Sequence, residues 1–124
     1  MMEKDLLIVD DDARNIFALR AVLKSRGINC VTAGSAAEAM SMLTNNHNVG
    51  VVLMDVMMPD MDGFEALQLI RSIEAVKLLP VIAVTAKAMK GDRERCLSAG
   101  FDDYVSKPID VDELLVKIKE HFTA

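Results

Sequence analysis

The chain has little of what would tie it to nucleic acid, to a lipid bilayer or to an oxidising compartment. Its 14 Lys and Arg are outnumbered by 19 Asp and Glu, giving a formal net charge of -5. No Lys/Arg cluster forms a stripe that could track a phosphate backbone, so nucleic acid is not expected as a direct partner. No apolar run approaches the roughly 18 residues of a membrane span, and the opening Met1-Met2-Glu3-Lys4-Asp5 carries no signal-peptide pattern. A membrane partner is therefore not expected, and the expected location is cytoplasmic. Cysteine is scarce: Cys30 and Cys96 are far apart, lack a CxxC spacing and fall where a strand and a helix would bury small apolar side chains, which fits a reducing setting. Repeats, linkers and low-complexity tracts are also missing.

What is present is an apolar chain of 124 residues, 52% hydrophobic, long enough to fold as one domain over 1–124. Short apolar runs alternate with helical patterns in five units, the signature of repeated βαβ crossovers around a parallel sheet. After the run Leu6 to Val9, Asp12 can cap a helix carrying Ile16, Leu19, Val22 and Leu23 inward, closed by Gly27. A weak strand over Asn29 to Ala33 precedes a capping box, Ser35 with Glu38, that opens a helix bearing Ala39, Met40 and Leu43. Strand three, Val51 to Asp55, reads as buried on both faces. Pro59 forbids helix in the segment Val56 to Asp62, and Asp62-Gly63 starts a helix with Phe64, Leu67 and Ile70 inward. Pro80 opens strand four. A short polar helix, about Asp92 to Ser98, has only Cys96 and Leu97 clearly apolar and should be the least firmly packed element. Strand five covers Asp103 to Ser106, and Asp110 with Glu113 caps a last helix with the stripe Val111, Leu114, Leu115, Ile118 and Phe122.

The apolar runs end in polar residues of different kinds: Asp10-Asp11, Asp55, Thr85 and Lys107. If the strands are parallel neighbours, these ends meet at the sheet edge where ligands of open α/β folds bind. Crowding three carboxylates is costly, since two unit charges about 4 Å apart repel by roughly 4 kcal/mol at an effective dielectric of about 20. A cation must compensate them. Hard oxygen ligands suit Mg²⁺ rather than zinc, and the two histidines are poorly placed, His47 in a polar turn and His121 near the C-terminus. Taken singly, Asp10 to Asp12 read as helix caps, Asp55 as a turn residue, and Thr85 and Lys107 as loop residues. Together they would require four independent coincidences. The methionines Met54, Met57, Met58 and Met61 read as packing rather than a soft-metal site, because no second cluster of sulfur ligands accompanies them.

The segments Val9-Asp10-Asp11-Asp12, Met54-Asp55-Val56-Met57-Met58-Pro59-Asp60-Met61-Asp62-Gly63, Val84-Thr85-Ala86 and Asp102-Asp103-Tyr104-Val105-Ser106-Lys107-Pro108 resemble, in order and spacing, the receiver domain of two-component response regulators. The resemblance runs over almost the whole chain. It implies a flavodoxin-like (βα)₅ α/β fold, a five-stranded parallel sheet of order 2-1-3-4-5 with helices on both faces. It further implies that Asp55 accepts a phosphoryl group from a histidine kinase or histidine phosphotransfer protein. Asp11, Asp55 and the backbone carbonyl of Met57 would bind Mg²⁺ directly, and Asp10 through water. Lys107 and Thr85 would bind phosphoryl oxygens, Tyr104 would be the switch aromatic that follows Thr85, and the Lys107-Pro108 bond would be cis. On this resemblance the chain is a signalling phosphoacceptor, catalysing only its own phosphorylation and slow autodephosphorylation. Met57 and Lys87 flank the path of hydrolytic water and neither orients it well, so a moderately long-lived phosphoryl group is expected.

One enzyme reading competes. Haloacid dehalogenase-type phosphatases also place Asp, Thr and Lys at strand ends, and Asp10-Asp11-Asp12 contains a DxD. That family needs Thr or Val where this chain has Arg14, and a longer chain with room for a cap. The expected output surface for a protein target is the face of helix four, strand five and helix five, including Lys87, Met89, Lys90, Asp92 and Tyr104. Its mixed charges offer no apolar patch for dimerisation, so a monomer is expected before phosphorylation. With the chain ending at Ala124 no output domain is expected to follow. The run Asp12 to Leu19 is similar to the first helix of receivers from hybrid histidine kinases, which adds that context to those of a stand-alone regulator and a phosphorelay intermediate.

Overall fold

The computed structural model describes residues 4–45, 48–56, 63–85 and 91–122, with Asp92 described in its backbone alone. Among these residues five strands and five helices alternate: β1 (Asp5–Val9), α1 (Ala13–Ser25), β2 (Cys30–Ala33), α2 (Ala36–Thr44), β3 (Val49–Asp55), α3 (Gly63–Ser72), β4 (Val81–Thr85), α4 (Asp92–Ala99), β5 (Asp103–Ser106) and α5 (Val111–His121). All pair in parallel, in the order β2-β1-β3-β4-β5. This is the flavodoxin-like (βα)₅ arrangement that the resemblance to receiver domains implied.

Because side chains along a strand alternate between faces, a sheet covered on both sides needs apolar residues at nearly every position. β1 shows this directly. Leu7 and Val9 join a core with α2, α3 and α4 residues such as Leu43, Leu67, Ile70 and Cys96. Leu6 and Ile8 join the opposite core with Leu23 of α1 and Leu114 and Ile118 of α5. Each fully buried aliphatic side chain contributes about 1.5–3 kcal/mol relative to exposure. Both cysteines are buried and neither is in a disulfide, and burial pushes the Cys30 thiol up to about 11, which leaves it unreactive at neutral pH.

The expected caps are present, with one difference. The side chain of Asp12 accepts from the Arg14 and Asn15 N–H groups, and that of Asp110 from Glu113 N–H. Ser35 Oγ likewise accepts from Glu38 N–H at 3.1 Å, but the Glu38 carboxylate reaches past the box to Gly34 N–H at 2.7 Å. α1 also differs from expectation: of its four predicted inward residues only Leu23 is buried, and Val22 is exposed. The reason is a cavity of about 370 Å³ between α1 and the β5–α5 connection, into which Leu19 and Val22 face. α4 ends at Gly100, whose φ of 114° suits glycine alone, and Cys96 is the buried residue among its described side chains.

Candidate functional site at the carboxyl edge of the sheet

The backbone wires the strand ends together before any side chain is considered. Asp10 N–H donates to Ala33 C=O at 3.1 Å, Val56 N–H to Val84 C=O at 3.0 Å, and Lys107 N–H to Thr85 C=O at 2.7 Å. Parallel register therefore brings Asp10, Asp55, Thr85 and Lys107 to one edge. Gly63 tightens that edge from below. Its N–H donates to Val56 C=O at 2.8 Å, and a Cβ at this position would lie 2.7 Å from Val56 Cα and 3.0 Å from Asp55 C=O. Only a residue without a side chain lets α3 begin so close to the end of β3.

The carboxylates of Asp10, Asp11 and Asp55 offer oxygens that all lie within 4.8 Å of one another. Asp10 and Asp55 are buried and Asp11 is exposed, so the cluster is a shallow cup open on one side. Lys107 Nζ sits 3.2 Å from Asp55 Oδ2 and 4.0 Å from Asp10 Oδ2. Burial raises the Asp10 carboxyl above its ordinary value; the Asp12 N–H, donating to Oδ1 at 2.9 Å, opposes this, the Asp55 charge reinforces it, and Lys107 opposes it again. Among the described residues, three carboxylates against one ammonium leave two negative charges in excess. An all-oxygen set with that excess fits a hard divalent cation, the Mg²⁺ class, and gives no soft or nitrogen ligand to a transition metal.

Thr85 is buried at the end of β4, and Tyr104 is half-buried two positions earlier in the register, opposite Ala83. The Lys107-Pro108 peptide is cis. Met57, Lys87, Met89 and Lys90, along with His47, Met58, Pro59, Met61 and Asp62, lie outside the described residues, as does the side chain of Asp92. His121 is placed away from the acidic cluster, 3.3 Å from Asp103.

Among the pairings that the sequence did not reveal, two engage the adjacent carboxylates Asp102 and Asp103. At the opposite edge of the sheet Arg71 holds Asp102 at 2.8 Å while donating to the carbonyls of Lys77, Leu79 and Gly100. On the outer edge of β5, Lys117 and His121 both reach Asp103. The signal available was the Asp102-Asp103 doublet itself. No periodicity names the partners, which come from other elements.

Among the described residues no helix is long and apolar enough to cross a membrane. Residues 6–119 match the response regulator receiver domain family. The chain is 36% identical over 120 residues to the polar-differentiation response regulator DivK of Brucella ovis, covering 97% of each. It superposes with a TM-score of 0.90 on a putative response regulator from Chloroflexus aurantiacus, 30% identical and covering 98% of both chains. A TM-score of 0.87 relates it to the receiver domain of a sensor histidine kinase from Pseudomonas aeruginosa, 32% identical over 99% of this chain and 100% of that one, whose structure holds a magnesium ion in the active-site cleft. Nothing in these likenesses supports a phosphatase of the haloacid dehalogenase type. With a sheet of this order, an acidic cup at its carboxyl edge and these relatives, the chain belongs to the response regulator receiver family.

Proposed function

We propose that this chain is a phosphoacceptor over its full 1–124 span, taking a phosphoryl group on Asp55 from a histidine kinase or histidine phosphotransfer protein. The carrying observation is the convergence of Asp10, Asp11, Asp55 and Lys107 within one small cup. Asp55 Oδ attacks the phosphorus of a phosphohistidine; the P–N bond breaks, its electron pair returns to the imidazole, and an acyl phosphate remains. Asp10, Asp11 and Asp55, with the backbone of Met57, would hold Mg²⁺, Asp10 acting through water. When bound, the ion supplies positive charge where donor oxygens and carboxylates would otherwise repel.

The protein's own groups do the rest. Lys107 already lies against Asp55, so a small movement carries its ammonium from the carboxylate to an equatorial phosphoryl oxygen, where charge develops in transfer. The Thr85 hydroxyl donates to another oxygen, and Tyr104 follows it. A cytoplasmic setting is part of this reading, in keeping with two buried cysteines outside any disulfide. The cavity beside Asp10 and Lys107, floored by Leu19, Val22 and Ile109, gives an apolar seat next to the acceptor for the helix that carries the donor histidine. The α4–β5–α5 face serves the downstream target, and the unphosphorylated protein is a monomer.

Incubation with a small phosphodonor and Mg²⁺ should add one phosphoryl mass, and Asp55→Asn should prevent it. Equal labelling of the substituted protein would remove Asp55 from this role. Binding of a phosphoryl mimic with Mg²⁺ should move amide resonances of α4, β5 and α5 more than those of α1 and α2; changes confined to the metal-binding segments would refute the switch.

A further inference from the structure

Among the described residues β5 is an edge strand, paired with β4 on one side, so its outward backbone groups must find partners elsewhere. Tyr104 finds both in side chains. Its N–H donates to Asp103 Oδ1 at 2.9 Å, and its carbonyl accepts from Lys117 Nζ at 2.5 Å. The two side chains are themselves paired, Nζ to Oδ1 at 3.3 Å, closing a ring around the Tyr104 backbone. Lys117 also lies 6.0 Å from the Tyr104 ring centroid and 3.5 Å from Glu113 Oε2. His121 Nε2 meets Asp103 Oδ2 at 3.3 Å, so two residues of α5 hold one carboxylate of β5.

Geometry makes this more than a surface ion pair. The Tyr104 side chain packs with the core shared by α2, α3 and α4, whereas α5 covers the other face. Lys117 therefore reaches around the open edge of the sheet and touches the residue whose side chain lies on the far side. Its own side chain is only 21% exposed, and that of Asp103 23%. Burial pushes the Asp103 carboxyl up, but the Tyr104 N–H, His121 and Lys117 together hold it below its ordinary value, so it stays charged. Three residues downstream of Tyr104 stands Lys107, still against Asp55.

We infer that Lys117 is a positioning residue that holds the Tyr104 backbone in its resting place, so that α5 opposes the rearrangement accompanying phosphorylation. The inference rests on the reading of Tyr104 as the switch aromatic. Its physical basis is that the clamp occurs together with the resting Lys107–Asp55 pair, and contacts made in one state only shift the equilibrium toward that state. Moving the Tyr104 backbone would strain a charge-assisted hydrogen bond and the paired carboxylate at once.

Lys117→Met keeps the apolar stem and removes the donor and the charge. The tests are titration with beryllofluoride and Mg²⁺, and the Tyr104 amide and ring resonances of the resting protein. The expected result is about three- to tenfold tighter binding of the mimic, with Tyr104 resonances displaced before any mimic is added. A thermal melt of the variant separates loss of fold from release of the clamp, because a purely structural lysine would lower the melting temperature without tightening the mimic. Unchanged affinity with unchanged Tyr104 resonances would overturn the proposal, as would an equal effect of Glu113→Gln, which removes a charge beside Lys117 but leaves the Tyr104 clamp. If the unsubstituted protein binds no mimic, the phosphoacceptor reading fails, and the role of Lys117 is then decided by the Tyr104 resonances alone.

Discussion

The two ends of the sheet use the same kind of group in opposite ways. At the amino end, Asp102 meets one guanidinium, and the same Oδ2 accepts the N–H of Val81 at 2.8 Å, while Arg71 spends its other donors on three carbonyls. Charge and hydrogen-bond partners balance there. At the carboxyl end, Asp10, Asp11 and Asp55 crowd around Lys107, the one ammonium among the described residues there, with burial and the Asp55 charge both raising Asp10. A satisfied network stabilises the structure; an acidic surplus at a strand edge marks a place where something else must bind.

The largest effect should come from the balanced end. Arg71→Met leaves Asp102 and the carbonyls of Lys77, Leu79 and Gly100 without their shared donor. Denaturant unfolding should show a loss of about 2–3 kcal/mol, discounted for the partial exposure of the pair, and an undiminished response to Mg²⁺. If Mg²⁺ stabilisation disappears as well, the two ends are not independent.

Next comes the metal response. In the unsubstituted protein, Mg²⁺ at ten times its dissociation constant should add about 1.4 kcal/mol by mass action, and Asp11→Ala should abolish most of that gain. A full response in the variant would place the ion elsewhere.

A third test removes charge from the surplus. In chelator, Asp10→Asn keeps an acceptor for the Asp12 N–H and eliminates a buried carboxylate, so stability should rise by about 1 kcal/mol at neutral pH. Asp11→Ala should give less, because Asp11 is exposed. The pH dependence follows from the direction of the shift. A carboxyl whose folded value is raised weighs against the fold above that value, and the penalty fades as pH falls toward the unfolded value near 3.8. The advantage of Asp10→Asn should therefore shrink on acidification through that window. Asp103 has the opposite sign: its folded value is lowered, so its contribution is present above the unfolded value and lost as pH falls through the folded one. Melts of Asp10→Asn and Asp103→Asn against pH should diverge in these directions.

The smallest effect sharpens the contrast by position. The Glu74–Lys77 pair, 2.6 Å apart, lies at the same end as Arg71, but its side chains are 82% and 50% exposed. Glu74→Ala should change stability by less than about 0.5 kcal/mol. A cost matching that of Arg71→Met would mean that location, rather than backbone partners and burial, sets the energetics.

What could be read from the sequence follows the range of the signal. Asp12, Ser35 and Asp110 act on N–H groups two or three residues away, so local spacing revealed them. Asp10, Asp55, Thr85 and Lys107 were legible because parallel strands bring their ends together whatever the intervening lengths. Arg71–Asp102 spans 31 positions and Asp103–Lys117 joins strand to helix, and no repeat connects either pair. Val22 was misjudged for a related reason: helical spacing gives the inward face of α1, but not the gap beside Ile109 that leaves it uncovered.

The hydrogen bond from Gly63 N–H to Val56 C=O has a consequence for how this chain can be rebuilt. Val56 and Gly63 are joined main chain to main chain although seven positions separate them, like the two sides of a closed clasp. The clasp anchors the start of α3 on the end of β3 without any side chain, so the outer face of α3 can be recut with new side chains while the strand end that presents Asp55 keeps its place.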